Sequence, residues 1–164
     1  MELIPTPSQT IGPFFHLCLA PCADPLPEGE RIRLSCRISD GDGTPVNDAM
    51  IEVWQADTSG EHGYFARQCT NDDGVCVFET VKPGQVALQA PHINVMIFAR
   101  GLLKQLYTRI FFDGDPANAG DPVLALVPED RRGTLMAHQR AEDSSVWDFE
   151  IRLCAECETV FFDV

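Results

Sequence analysis

The sequence predicts an all-β protein, an antiparallel β-sandwich with an extended N-terminal arm and long loops. Two observations carry this prediction. Short segments alternate polar with apolar side chains, and turns rich in Gly and Asp separate them at intervals of roughly ten residues. The length of 164 residues fits one domain that spans residues 1–164 and is large enough to bury a full core.

The beginning of the chain is broken by prolines. Pro5, Pro7 and Pro13 disfavour helix and central strand, so residues 1–15 are predicted to form an extended arm. The segment from Leu19 to Glu30 also holds three prolines and is predicted to be a loop. An apolar arm needs a surface to pack on. The arm is therefore expected to pack against something other than a solvated surface of a single domain.

The predicted strands follow in order. Strands are expected at Arg31 to Ile38, Ala49 to Ala56, Val75 to Thr80, Leu106 to Phe112, Val146 to Leu153 and Glu158 to Asp163. Between them, residues 117–126 are expected to form a short helix or loop, and residues 131–140 a strand or extended segment.

One further segment is predicted to be the central, buried strand. The run from Gln89 to Gly101 is mostly apolar and carries β-branched residues at alternate positions. His92 and Asn94 lie two residues apart in it, so their side chains point to the same face. An imidazole and an amide on one face could bind one ligand or join one hydrogen-bond network.

Composition excludes several classes of function. The formal net charge of −13 and the small number of lysines argue against nucleic-acid binding. No apolar stretch approaches the length of a membrane span, so no membrane partner is expected. The first residues lack the features of a signal peptide, and seven cysteines, an odd number, suggest reduced thiols. These observations predict a cytoplasmic protein.

The candidate chemistry has ordinary structural alternatives. His62, Tyr64 and His92 could supply nitrogen and oxygen ligands to a ferric ion, although single histidines in a β domain more often form structural hydrogen bonds. Arg100 could bind a carboxylate in bidentate fashion or form a strand-end ion pair, and the two are equally favoured. Arg109 is interpreted as a structural partner of one of the many acids. The Cys154-x-x-Cys157 pair is interpreted as ordinary thiols in a turn.

Several motifs together resemble one known family. The runs Thr-Ile-Gly-Pro-Phe-Phe (10–15), Ile-Glu-Val-Trp-Gln-Ala-Asp (51–57), Thr-Val-Lys-Pro-Gly (80–84), Ala-Pro-His-Ile-Asn (90–94), Phe-Ala-Arg-Gly (98–101) and Glu-Thr-Val-Phe-Phe-Asp (158–163) are similar to the intradiol ring-cleavage dioxygenases. Within that family they most resemble the α subunits of αβ enzymes. The resemblance runs from residue 5 to the C-terminus.

The resemblance implies that Fe(III) is held by two tyrosines and two histidines in the catalytic subunit of such enzymes. Placed on this sequence, those four ligand positions fall on His62, Val86, His92 and Asn94, and a family arginine falls on Gln89. Of these four positions, His92 alone carries the residue type that the family uses as an iron ligand there. The resemblance therefore implies that this chain binds no metal, holds no catalytic residue of its own, and works with an iron-bearing β subunit.

The resemblance also implies a contribution to the partner's pocket. Thr10, Gly12 and Pro13 on the arm, with Arg100 at the strand end, are expected to line the pocket for an aromatic acid, 3,4-dihydroxybenzoate. The assembled enzyme would open this substrate with O2 to 3-carboxy-cis,cis-muconate. Gly and Pro permit close backbone approach, and an arginine attracts an anionic substrate.

Two alternatives remain open from the sequence. The chain could be a catalytically dead sandwich, similar to dioxygenases or to transthyretin-like modules, that acts as a binding module. It could also be a self-sufficient metalloenzyme that uses His62, Tyr64 and His92 in a rearranged site.

Overall fold

The computed structural model describes residues 19, 21–59 and 63–163, and this part of the chain contains nine strands and three short 3-10 helices. The strands are β1 (Cys22–Ala23), β2 (Arg31–Ser39), β3 (Met50–Ala56), β4 (Gly63–Cys69), β5 (Val75–Val81), β6 (His92–Phe98), β7 (Leu106–Phe112), β8 (Met136–Arg140) and β9 (Asp143–Arg152). The 3-10 helices are Pro116–Gly120, Leu124–Leu126 and Glu129–Leu135, and none of the described helices is long and apolar enough to cross a membrane.

The strands are hydrogen-bonded in the order β1-β4-β3-β6-β7-β8-β9-β2-β5. The first five form one layer and the last four form the other. A pairing of only two residues, between β7 and β8, joins the layers. That pairing and the β2–β9 pairing are parallel, whereas all other neighbours are antiparallel. The predicted all-β, sandwich-like fold is confirmed.

The core lies between the two layers because each strand alternates its side chains. In β2, for example, Leu34 and Ile38 are fully buried while the arginines between and beside them are exposed. Apolar residues of β3, β6, β7 and β9 meet this face from the other side. A second, smaller cluster lies outside the first layer, where the 3-10 helices and the C-terminal segment cover Phe111 of β7.

The structure corrects two of the predicted elements and adds two strands, β4 and the two-residue β1, which lies within the predicted loop from Leu19 to Glu30. Residues 129–135, part of which was expected to be extended, form a 3-10 helix, and β8 begins only at Met136. The predicted last strand, 158–163, is reduced to a single bridge between Phe162 and Tyr107. β4 was not predicted, although it alternates inward-facing Tyr64 and Ala66 with outward-facing residues.

Candidate functional site

The candidate site lies on the outer face of β6. Ile93, Val95 and Ile97 fill the core, so the alternate residues His92, Asn94 and Met96 point away from it. The register places Asn94 directly between Trp54 of β3 and Arg109 of β7. These three side chains therefore form one row across three strands.

His92 begins β6 and is only 7% exposed. Its Nδ1 lies 2.8 Å from the carbonyl oxygen of Ala90, and because a carbonyl can only accept, Nδ1 carries the proton. Burial lowers the pKa of His92 and outweighs the hydrogen bond to Ala90, which raises it; the charges of Arg109 and Asp121 have smaller effects, downward and upward respectively. His92 is therefore a neutral imidazole near neutral pH.

Asn94 is bound to a neighbouring phenol. Tyr107 of β7 donates its hydroxyl hydrogen to Asn94 Oδ1 at 2.5 Å. The ring of Tyr107 in turn makes an edge contact with Phe162, with ring centroids 6.2 Å apart. The carbonyl oxygen of the amide is thus already occupied, and an amide is in any case a weaker metal ligand than a neutral imidazole.

The loop before β6 carries two further predicted positions. Val86 is 37% exposed and forms a bridge with Gln89, closed by a hydrogen bond of 2.9 Å from Gln89 N to Val86 O. Ala87 inside this turn has a φ of 53°, in the left-handed region. The valine side chain faces outward and carries no donor atom.

Arg109 does not have the partner that the sequence suggested. Its Nη1 donates to Gln89 Oε1 at 2.9 Å, so the guanidinium is bound to a neutral amide and not to an acid. The prediction of an ion pair was wrong, because an arginine's partner depends on the strand register and the loop position. Family resemblance leads one to expect an arginine at position 89. Gln89 occupies that position, and the positive charge next to it belongs to Arg109 of β7.

The described residues do not fit a ferric ion. Of the predicted ligand positions that the structure describes, Val86 has no ligand atom, Asn94 is bound to Tyr107, and His92 alone offers an imidazole. Across residues 19, 21–59 and 63–163, no group of three His, Cys, Asp or Glu side chains is arranged to hold a metal. Three or more such ligands are the usual minimum for tight binding.

The structure excludes Tyr64 as a partner of His92. Tyr64 points into the core, is almost fully buried, and donates its hydroxyl hydrogen to the carbonyl oxygen of Glu79 at 3.0 Å. Burial raises its pKa, with smaller contributions from Asp24 and Glu79. Because His92 lies on the opposite face of the sheet, the rearranged site of His62, Tyr64 and His92 cannot form with Tyr64.

Arg100 follows β6 at the end far from His92. Its Nε lies 3.0 Å from Asp48 Oδ2, and the arginine side chain is 67% exposed while that of Asp48 is 19% exposed. Gly101 next to it has a φ of +85°, which ends the strand and is readily adopted only by glycine. The guanidinium is thus held at one nitrogen and open to solvent at the others. Four other predicted positions, Thr10, Gly12, Pro13 and His62, lie outside the described residues.

The cysteines fit the structural interpretation. All six that the structure describes are free, and Cys154 and Cys157 are exposed in the turn that follows β9. Cys36 and Cys76 face each other across β2 and β5, and their hydrogen bond and burial raise the pKa of the Cys36 thiol. A raised pKa makes a thiol less reactive.

Sequence reasoning missed two members of the site. Tyr107 and Arg109 alternate with buried Thr108 and Ile110, so the sequence signal was sufficient to place them on an outer face. Which residues of β6 they meet depends on a register that local pattern does not specify. The contacts of Tyr107 with Asn94 and of Arg109 with Gln89 become visible when the register between β6 and β7 is known.

Comparison with protein families gives a consistent result. A family described as "Dioxygenase" matches residues 16–90. The protocatechuate 3,4-dioxygenase alpha chain of Burkholderia cepacia is 42% identical over 97% of this chain and 97% of its own length. The beta chain from the same organism is 30% identical over 79% of this chain and 65% of its own length.

A solved structure supports the same fold. The dioxygenase domain of a dioxygenase and carbohydrate-binding fusion from Streptomyces sp. SirexAA-E superimposes with a TM-score of 0.66 and 25% identity. The match covers 93% of this chain and 99% of that domain.

Proposed function

This chain belongs to the intradiol ring-cleavage dioxygenase family, among the alpha chains of protocatechuate 3,4-dioxygenases, and we propose that it is a non-iron-binding subunit that completes the substrate pocket of an iron-bearing β chain. The enzyme so formed would convert 3,4-dihydroxybenzoate and O2 to 3-carboxy-cis,cis-muconate. In this proposal Fe(III) is held by the β chain.

The observation that carries the proposal is the degenerate outer face of β6. His92 remains, but Asn94 is bound by Tyr107 and Val86 carries no ligand atom. A chain that is 42% identical to a dioxygenase alpha chain, and whose described residues offer no set of iron ligands, would need a second chain to supply them. Similarity to a beta chain as well as an alpha chain supports a partner of related fold.

The contribution of this chain would come from the arm and from Arg100. Arg100 lies at the opposite end of β6 from His92, so it has no role in the degenerate site of its own chain. Its guanidinium holds Asp48 through one nitrogen, Nε, and would exchange this contact for a bidentate one with the carboxylate of an anionic substrate. Thr10, Gly12 and Pro13 would approach the substrate with backbone groups.

The site of action is proposed to be the cytoplasm. The support is the thiol content, since the six described cysteines are free and two of them are exposed after β9. An exposed pair of thiols persists most readily in a reducing compartment.

The test is to purify the chain alone and again after co-expression with its candidate β partner. Iron content and O2 uptake dependent on 3,4-dihydroxybenzoate are measured on both preparations. Iron and activity only in the complex support the proposal. Stoichiometric iron in the lone chain would refute it, and an active partner whose kinetics are the same without this chain would support the alternative of a binding module.

A further inference from the structure

We propose that Cys154 and Cys157 form a reversible oxidation site, at which a peroxide converts the two thiols into one intramolecular disulfide. The site lies in the loop that follows β9, on the layer of the sandwich that does not contain β6. The proposal involves neither iron nor the substrate of the proposed enzyme, so its test is independent of the proposed function.

These two cysteines are accessible to a small oxidant. Cys154 and Cys157 are exposed free thiols, whereas Cys36 and Cys76 are buried in the core. Cys157 lines a cavity of about 420 Å³ on the outer face of this layer, and Cys154 lines a neighbouring cavity of about 430 Å³. The side chain of Arg152 lines both cavities, which places the two thiols on the same side of β9.

The loop that carries the pair is short and closed at its base. The backbone N–H of Arg152 donates to Thr159 Oγ1 at 2.9 Å, and that of Thr159 donates to the carbonyl oxygen of Arg152 at 3.0 Å. Within this base, the N–H of Glu158 donates to the carbonyl oxygen of Ala155 at 3.1 Å, so the chain reverses its direction. Residues three apart in such a reversal lie within about 7 Å, and a disulfide joins Cα atoms about 4.4–6.8 Å apart. The two cysteines are three apart in this loop, so a disulfide requires no movement of a strand.

The contacts of Arg152 identify Cys157 as the thiol that attacks the oxidant. The Nη2 of Arg152 lies 3.0 Å from Glu150 Oε2. The pKa of Arg152 is raised mainly by its hydrogen bond with Glu150, with smaller contributions from the charge of Cys157 and from a hydrogen bond with that sulfur. A guanidinium beside a sulfur stabilises the negative charge on that sulfur when it attacks a peroxide. The same positive charge opposes a bound metal cation, which favours oxidation over metal capture at this pair.

The reaction consumes one hydrogen peroxide for each pair of thiols. The sulfur of Cys157 attacks one peroxide oxygen, the O–O bond breaks, and the products are a sulfenic acid and one water. The sulfur of Cys154 then attacks the sulfenic sulfur, the S–O bond breaks, and a second water leaves as the S–S bond forms. Two thiols are oxidised and the peroxide is reduced to water. A dithiol reductant restores both thiols by disulfide exchange and is itself oxidised.

The experiment is oxidation of the full-length chain with hydrogen peroxide, followed by peptide mapping. The treated chain is alkylated with iodoacetamide in denaturant and digested with trypsin. Cleavage after Arg152 yields the peptide 153–164, which contains Cys154, Cys157 and no other cysteine. We expect this peptide to be unalkylated and two hydrogens lighter than the dithiol form, and to be doubly alkylated when dithiothreitol is added before the alkylation. Two alkylated cysteines after peroxide, or an irreversible sulfinic acid at either position, would overturn the proposal.

Arg152→Gln tests the role of the guanidinium, with Arg140→Gln as the matched control. Both arginines form an exposed ion pair with a carboxylate of β9. Disulfide formation should be at least about threefold slower in Arg152→Gln and within about twofold of the wild-type rate in Arg140→Gln. In the digest of Arg152→Gln the pair is measured on the peptide 141–164, which contains no other cysteine. Equal rates in the two variants would refute the assignment of Cys157 as the attacking thiol.

Two single-cysteine variants test the same assignment without changing a charge. Dimedone traps sulfenic acids, so it reports which sulfur is oxidised first. Peroxide should generate the trapped product at Cys157 in Cys154→Ser at least about fivefold faster than at Cys154 in Cys157→Ser. Both substitutions replace an exposed sulfur by oxygen, so the fold is retained. Equal trapping at the two positions would contradict the order of the steps.

Discussion

The two ends of β6 differ in burial and in the partners of their polar groups. At the first end, His92 is buried and bound to a backbone carbonyl, and Asn94 is bound to Tyr107. At the other end, Arg100 lies next to Gly101, and its partner among the described residues is Asp48. At the first end of β6, each of the two polar side chains has a hydrogen-bond partner within the chain, whereas the arginine that follows the second end is mostly exposed.

This difference separates structural from functional polar residues. A buried group that is fully hydrogen-bonded stabilises the fold and offers little to a ligand. An exposed arginine held by one surface acid contributes little to stability, since such pairs are worth about 0–1 kcal/mol. The comparison predicts that substitutions at the first end change stability and that those at the second change turnover.

The largest effect is expected from Arg100→Ala in the assembled enzyme. If Arg100 binds the substrate carboxylate, the loss of a charge-assisted hydrogen bond worth about 1.5–3 kcal/mol should lower kcat/KM roughly tenfold or more. The iron content of the complex should be unchanged, because the proposal assigns the iron ligands to the β chain. The measurement is steady-state O2 uptake with 3,4-dihydroxybenzoate, together with metal analysis.

Arg140→Ala is the matched control for Arg100. Arg140 also forms an exposed ion pair, with Asp148 on the neighbouring strand, but it lies in the other layer of the sandwich. Its removal should leave kcat/KM within about twofold of the wild-type value. Equal losses in the two variants would show that the effect of Arg100 is a general loss of positive charge.

The next effect concerns stability at the first end of β6. His92→Ala removes the hydrogen bond to Ala90 and the contact with Phe111, whose ring centroid lies 5.8 Å from that of His92. The free energy of unfolding should fall by about 1–3 kcal/mol, as measured by urea denaturation. His138→Ala, which removes an exposed histidine paired with Asp113, should cost less than about 0.5 kcal/mol.

The same histidine should make stability depend on pH. Its pKa in the folded chain is below the unfolded value of 6.5, so the unfolded chain takes up the proton first. The contribution of neutral His92 is therefore complete above about pH 6.5 and declines as the pH falls toward the lower folded pKa. Urea midpoints of wild type and His92→Asn, compared at about pH 7.5 and 5.5, should converge at the lower pH. Parallel midpoints would contradict a neutral, buried His92.

Much of this molecule could be predicted from its sequence, for a physical reason. The strand at Leu106 to Phe112 agrees with β7, because period-two alternation records which face is buried. The segment at 158–163 has the same appearance but forms one bridge, since Val160 O accepts from the side chain of Thr108 at 2.7 Å. Local pattern describes a strand's faces and not its partners.

The candidate site shows the same limit. Family resemblance predicts degenerate ligand positions at Val86 and Asn94, and this prediction concerns the residue type at single positions. The partners of Asn94 and Gln89 come from β7, and the distances of 2.5 and 2.9 Å to Tyr107 and Arg109 follow from the β6–β7 register. Tyr64 was placed in a hypothetical metal site because the sequence did not reveal that β4 turns it into the core.

The smallest expected effect comes from Asp48→Asn, which acts on Arg100 without removing it. The substitution weakens an ion pair of 3.0 Å whose arginine is mostly exposed, so the free energy of unfolding should change by less than about 1 kcal/mol. If Asp48 competes with the substrate for the guanidinium, KM for 3,4-dihydroxybenzoate should fall modestly, by about twofold, with kcat nearly unchanged. A raised KM would instead show that Asp48 holds Arg100 in the orientation that the substrate requires, and a double substitution with Arg100→Ala would then abolish the effect of Asp48→Asn.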